Sequence, residues 1–115
     1  TVVAEPGGEV RFVTAGSPRL ATAGTGDVLS GLIGALVARG LGPLDAAALA
    51  AHVHGRAASL GLSEGLVAGD LPVLVARVLS KAPPKVIRNM WPVAAALTGA
   101  CYAALVYVAR YNVKG

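Results

Sequence analysis

The sequence predicts an α/β fold in which a β-hairpin is followed by helices. Three observations support this class. Residues 1–14 form two short β-branched runs around a Pro-Gly-Gly turn, and residues 27–80 repeat apolar residues at helical spacing. Glycine and proline separate these segments from one another. The length of 115 residues is that of one small domain.

The predicted hairpin joins the strands TVVA and EVRFVT through the turn EPGG. Because side chains alternate along a strand, Val10 and Phe12 share one face of the second strand, and Arg11 and Val13 share the other. The next stretch, AGSPRLATAGTGD, has no periodicity and many turn-forming residues. It is therefore predicted to be a loop.

The first helix is predicted from Asp27, where apolar residues begin to recur on one face. Gly40 and Gly42 are expected to end it, because glycine readily adopts the left-handed conformation that terminates helices. The apolar face consists of Val28, Leu29, Leu32, Ile33, Leu36 and Val37.

Two further helices follow. Pro43 suits the first turn of a helix that runs to about Gly61. A third helix, LPVLVARVLS, follows Asp70, which is predicted to cap it.

The two histidines of the second helix are His52 and His54. Residues two apart lie on different sides of a helix, so this pair is not expected to share a metal ion. His52 follows the face of Ala48 and Ala51 and is therefore predicted to lie in the core or at an interface.

The net charge of +4 belongs to the end of the chain. Residues 1–80 carry five arginines and six acids, whereas residues 81–115 carry five basic residues and no acid. The first part has no basic stripe with interleaved aromatic residues, so no nucleic-acid partner is expected. A single cysteine, Cys101, excludes an intramolecular disulfide framework.

The C-terminal segment differs in kind from the rest. Residues 81–88 are predicted to be a basic, proline-containing linker, and residues 89–110 a transmembrane or buried apolar helix. Residues 89–109 contain no charge in 21 positions, with Trp91 near one end and Tyr107 near the other. This pattern is typical of a membrane span, so insertion through this segment is an expectation.

The stretch ATAGTGDVLSGLIGALVARG places small residues and one acid at the start of the first helix. The first N–H groups of a helix lack intrahelical partners and carry partial positive charge, and Gly24 and Gly26 would let a phosphate approach them. Asp27 could then accept the proton of a hydroxyl that attacks the phosphate. A structural role stays open on these residues alone, in which Asp27 or Thr25 caps the helix.

Several runs carry a resemblance to a known family. LATAGTGDVLSGLIGAL, LDAAALAAHVHGRAA and GLVAGDLP follow one another here as they do in the ADP-dependent NAD(P)H-hydrate dehydratases, repair enzymes of the ribokinase-like superfamily. Residues 1–78 resemble the C-terminal part of these enzymes. The resemblance implies that residues 1–80 are a C-terminal fragment of a three-layer α/β fold.

The resemblance also implies a reaction. ADP, or ATP, with Mg²⁺ phosphorylates the hydroxyl of hydrated NADH or NADPH, and loss of phosphate restores the dinucleotide. By position, Gly26 matches a nucleotide-binding glycine and Asp27 the substrate-contacting aspartate proposed as the base. Gly24 and Thr25 complete the anion-binding loop, and Thr1 matches the last residue of a nucleotide-contacting K-G-x-x-T segment.

The sequence departs from the family at both ends. The lysine and glycine of that segment are absent, and the tail after Ser80 resembles nothing in the family. We therefore expect a fragment that is inactive alone, from a cytoplasmic enzyme whose full-length members form homo-oligomers. Two alternatives stay open: a small single-span membrane protein without catalysis, and a fragment of a ribokinase-like small-molecule kinase.

Overall fold

A computed structural model describes residues 1–81. Two strands are followed by three helices, which confirms the predicted α/β class with a hairpin before the helices. Short 3₁₀ turns precede the first and third helices, at Pro18–Leu20 and Ala68–Asp70. The elements are β1 (Val2–Ala4), β2 (Val10–Phe12), α1 (Thr25–Ala38), α2 (Pro43–Leu60) and α3 (Leu71–Ser80).

The two strands pair antiparallel, with Val2 opposite Phe12. Their turn is closed by a 3.0 Å hydrogen bond from the Gly8 N–H to the Glu5 carbonyl, and Gly8 has φ 87°. One face of the hairpin packs towards α2. The opposite face is open, and Phe12 on it is 79% exposed.

The core lies where α2 packs between α1 and α3. Large side chains come from the outer helices, and α2 contributes mainly alanines, which allow the helix backbones to approach closely. The largest fully buried side chains are Leu32, Leu36, Leu71 and Val75.

The structure changes two details of the first predicted helix. α1 begins at Thr25 rather than at Asp27, because the turn residues before Asp27 already adopt helical hydrogen bonding. Val37, which was expected on the apolar face, is 41% exposed because it lies at the edge of that face near the helix end. Gly40, at φ 94°, follows the end of α1 as predicted.

The predicted cap of the third helix is wrong in its chemistry. Asp70 occupies the N-cap position of α3, but its side chain makes no capping hydrogen bond to that helix. Its backbone is already helical there, and the carboxylate accepts a 3.1 Å hydrogen bond from the Val67 N–H instead. Asp70 therefore closes the 3₁₀ turn that leads into α3.

The predicted apolar helix at 89–110, including the proposed span at 89–109, lies outside the described residues, as does the linker beyond Lys81. Within residues 1–81, none of the helices is both long and apolar enough to cross a membrane.

Candidate functional site

The candidate site is the turn of residues 24–27 at the start of α1. Gly24 is the N-cap residue, and its φ of 84° is a backbone conformation that residues other than glycine rarely adopt. Its carbonyl accepts hydrogen bonds from the N–H groups of Asp27 (3.2 Å) and Val28 (3.3 Å). A Cβ on Gly24 would also lie 3.1 Å from the Cβ of Ala68. Conformation and space therefore both favour glycine at this position.

Neither Asp27 nor Thr25 caps the helix with its side chain. The N-cap of α1 makes no side-chain capping bond. Thr25 uses its hydroxyl as a donor, and its single proton has two carbonyl acceptors within reach, Leu20 at 2.6 Å and Thr22 at 2.8 Å. The capping role that the sequence left open for Asp27 or Thr25 is therefore not observed.

Gly26 and Asp27 form the open side of the turn. Both are exposed, and a Cβ on Gly26 would meet no atom within 4 Å. Among residues 1–81, the Gly26 N–H has no hydrogen-bond acceptor and the Asp27 carboxylate has no cationic partner. The exposed edge therefore offers an N–H donor, the positive end of the helix dipole and a carboxylate within one helical turn.

Thr25 faces the opposite way, into the protein. It is only 5% exposed, and its hydroxyl ties the start of α1 to the preceding loop through Leu20 and Thr22. Its carbonyl accepts a hydrogen bond from the Nε2 of His54 at 3.0 Å. Because a carbonyl can only accept, Nε2 of His54 carries the proton.

The structure places His54, not His52, in the interior. His54 is 5% exposed and His52 is exposed, so the core location predicted for His52 is wrong, and the interface location stays a prediction. Helical spacing could have indicated that His54 is the buried histidine, because it lies four residues from the buried Ala50 and Ala58. Burial lowers the pKa of His54, and the hydrogen bond to the Thr25 carbonyl offsets part of that shift.

Thr1 lies next to this histidine, in a separate cavity of about 340 Å³ that is also lined by Leu20 and Ser17. Thr1 is held by hydrogen bonds with Val13, each 2.8 Å long. None of residues 24–27 lines the cavity, but two residues that do, His54 and Leu20, are hydrogen-bonded to Thr25. The Ser17 hydroxyl is buried there, with no partner in the described part of the chain.

Metal ligands are not clustered in this part of the protein. Residues 1–81 contain no group of three histidine, cysteine, aspartate or glutamate side chains that could hold a metal ion. Asp27 is the acid of the candidate turn, and one carboxylate alone does not build a magnesium site.

Comparison with curated proteins gives several similar chains. The bifunctional NAD(P)H-hydrate repair enzyme Nnr of Mycobacterium leprae is 52% identical over 80 residues, which cover 70% of this chain and 17% of that protein. The ADP-dependent (S)-NAD(P)H-hydrate dehydratase of Neisseria meningitidis is 45% identical over 76 residues, 62% of this chain and 26% of that enzyme. The Nnr of Methanopyrus kandleri is 39% identical over 93 residues, 78% of this chain and 17% of its own length.

The chain therefore spans between 17% and 26% of the length of these three relatives. No solved structure gives a significant match. A family model described as NAD(P)H-hydrate dehydratase matches residues 1–81, well over half of the chain, and includes the whole turn at 24–27. By this match the chain belongs to the NAD(P)H-hydrate dehydratase family.

Proposed function

We propose that residues 1–81 form the phosphate-binding corner of an ADP-dependent NAD(P)H-hydrate dehydratase with a three-layer ribokinase-like fold. The main observation in support is that the Gly26 N–H, which has no acceptor among residues 1–81, and the exposed Asp27 carboxylate share the first turn of α1. The name of the Neisseria meningitidis relative, an ADP-dependent (S)-NAD(P)H-hydrate dehydratase, supports ADP and NAD(P)H hydrate as the substrates. Because these substrates are dissolved nucleotides, we expect a cytoplasmic location.

In this proposal the turn stabilises charge while Asp27 moves a proton. The transferred phosphate of ADP lies against the Gly26 N–H and the positive end of α1. Asp27 accepts the proton of the hydrate's hydroxyl as that oxygen bonds to phosphorus and AMP leaves. The phosphorylated hydrate then loses phosphate and a neighbouring ring proton, which restores NADH or NADPH.

The remaining residues have supporting roles. Gly24 and Thr25 shape the loop, since Gly24 supplies the positive φ and Thr25 anchors it from inside. Thr1 contacts the nucleotide from the neighbouring cavity. The described residues do not fit a protein-built magnesium site, so we propose that Mg²⁺ enters on the phosphates of ADP.

Binding can be tested on the chain itself by titrating ADP and following backbone amide resonances. We expect the resonances of residues 24–27 to shift, and Gly26→Ala to weaken ADP binding at least tenfold because a methyl group would cover the N–H. Gly34→Ala is the matched control, since Gly34 is an exposed glycine of the same helix with the same open space around it. Equal ADP affinity in the two variants would reject the phosphate-binding role.

We expect catalysis to require further protein segments, since residues 1–81 leave the outer face of the hairpin open and match only a small part of the length of the relatives. We expect the 115-residue chain to show no turnover. Residues 1–81 should therefore replace the matching segment of the Neisseria meningitidis enzyme, with recovery of NADH absorbance from its hydrate as the assay. Asp27→Asn is expected to slow this chimera by about 10²–10⁴-fold.

Asp45→Asn is the matched control for that assay, because Asp45 is also an exposed acid in the first turn of a helix. Its chimera should keep the parent rate. If the Asp27→Asn chimera retained that rate as well, the base assignment would be rejected.

A further inference from the structure

We propose that His54 is a positioning residue for the candidate site, which holds the peptide between Thr25 and Gly26 so that the Gly26 N–H faces the phosphate. This inference rests on the proposed role of the turn in nucleotide binding. It concerns a buried side chain on a different helix, whose hydrogen bond goes to the Thr25 carbonyl and not to the proposed base.

The link between His54 and the turn follows from the geometry of one peptide unit. The Thr25 carbonyl and the Gly26 N–H belong to the same planar group and point in opposite directions. Nε2 of His54 holds that carbonyl at 3.0 Å on the buried side of the turn. The N–H of Gly26 is thereby directed to the exposed side, where no acceptor of residues 1–81 competes for it.

The position of His54 is itself tightly fixed. The next residue, Gly55, lies so close to residues 15–16 that a Cβ on it would be 2.5 Å from the carbonyl carbon of Ala15 and 2.6 Å from the Gly16 nitrogen. A contact this close prevents α2 from sliding or rotating against the loop. His54 therefore acts from a rigid support, and a rigid donor is what a preorganised anion site requires.

The hydroxyl of Thr25 and the ring of His54 act on different atoms of the turn. The hydroxyl secures the loop before α1 through Leu20 and Thr22, but that bond acts on the side chain of Thr25. The bond from His54 acts on the peptide that carries the anion-binding N–H. Loss of the histidine donor should thus alter the direction of the Gly26 N–H while the loop stays attached.

A first measurement needs no variant. In ¹⁵N spectra of the 115-residue chain at neutral pH, the His54 ring should be protonated at Nε2, because the carbonyl of Thr25 accepts from that atom. A neutral ring that carries its proton on Nδ1 would overturn the proposal, since it could not hold Thr25.

The second measurement compares variants. His54→Phe keeps a ring but has no donor, His54→Gln keeps an N–H donor, and His52→Phe is the matched control at an exposed position of the same helix. We expect His54→Phe to shift the Thr25 carbonyl and Gly26 amide resonances and to weaken ADP binding about three- to tenfold. His54→Gln should recover most of the affinity, and His52→Phe should match the parent.

The outcomes separate this proposal from the proposed function. If the parent chain binds no ADP, the phosphate-binding role fails, and the resonances of Thr25 and Gly26 alone decide whether His54 holds the peptide. If ADP binds and His54→Phe has the parent affinity, the positioning role is overturned while phosphate binding stands. His54→Leu provides a smaller donor-free variant should the phenylalanine ring not fit.

Discussion

Gly55 and Ala15 approach so closely that no side chain fits between them: a Cβ on Gly55 would lie 2.5 Å from the carbonyl carbon of Ala15. The three atoms nearest to this hypothetical Cβ all belong to the backbone of Ala15 and Gly16, which cannot move aside as a flexible side chain can. The contact brings the middle of α2 against the loop that follows the hairpin. It also fixes the position of His54 relative to the start of α1.

Gly55→Ala should therefore destabilise the protein, although alanine is the better helix former. Forcing a methyl group into a filled space costs about 1–3 kcal/mol. Thermal unfolding should show a lower melting temperature than the parent. Gly34→Ala, at a helix position with open space, should instead raise stability by about 0.5–1 kcal/mol. A Gly55→Ala protein as stable as the parent would show that this contact is looser than described.

Leu32→Ala should be among the most damaging changes in the core. Leu32 is completely buried where α1 meets the other helices, so its loss leaves a cavity that costs about 2–5 kcal/mol. Val37→Ala, on the same helix but exposed, should change stability by no more than about 0.5 kcal/mol. Urea unfolding of the two variants measures the difference, and similar losses would contradict the placement of the core.

The buried His54 should make stability depend on pH. Because burial lowers its pKa, the unfolded chain binds a proton that the folded chain does not, and folding is favoured as the pH rises. The stability that comes from the neutral, buried His54 is fully present well above the unfolded-state histidine pKa of about 6.5, and it is lost progressively as the pH falls below that value. Urea unfolding at pH 7.5 and 5.5 would measure this loss.

His54→Gln removes the titrating group and should make the unfolding free energy less dependent on pH between those two values. A parent protein that is equally stable at both pH values would show that His54 is more accessible to solvent than its packing indicates.

The open face of the hairpin should make the chain self-associate. Val2 and Phe12 lie opposite each other on that face and are both strongly exposed. Exposed apolar patches bind other apolar surfaces. Phe12→Thr, which keeps a residue favourable in strands, should reduce binding of an apolar dye and lower light scattering at high concentration. No change in either measurement would mean that this face contributes little to association.

Local spacing was enough to predict the elements of residues 1–81. The apolar repeat of α1, the Pro43 start of α2 and the Pro-Gly-Gly turn each act over a few residues, and the structure places helices and strands there. Asp70 was misjudged because a capping residue and a residue that closes a preceding turn look alike in sequence. Its carboxylate is bound by Val67, which comes before it.

The candidate site also contains some residues that a local pattern predicts and others that it does not. Asp27 and Gly26 could be singled out from a short motif, because their exposure follows from their place at the start of a helix. The burial of Thr25 and the contact with His54 depend on how α1 and α2 pack, which no local pattern contains. Helical spacing could have favoured His54 over His52, since Arg56, four residues after His52, marks the exposed side of α2.

The close approach of Gly24 to Ala68 has a consequence for how this sequence can vary. The Cβ of Ala68 lies 3.1 Å from where a Cβ on residue 24 would stand, which is tighter than an ordinary contact and leaves little room for a side chain at residue 24. A larger residue at 68 would press on the backbone of the turn from a segment distant in sequence. Because its positive φ already favours glycine at residue 24, residue 68 is the position expected to stay small across related proteins wherever the turn is kept.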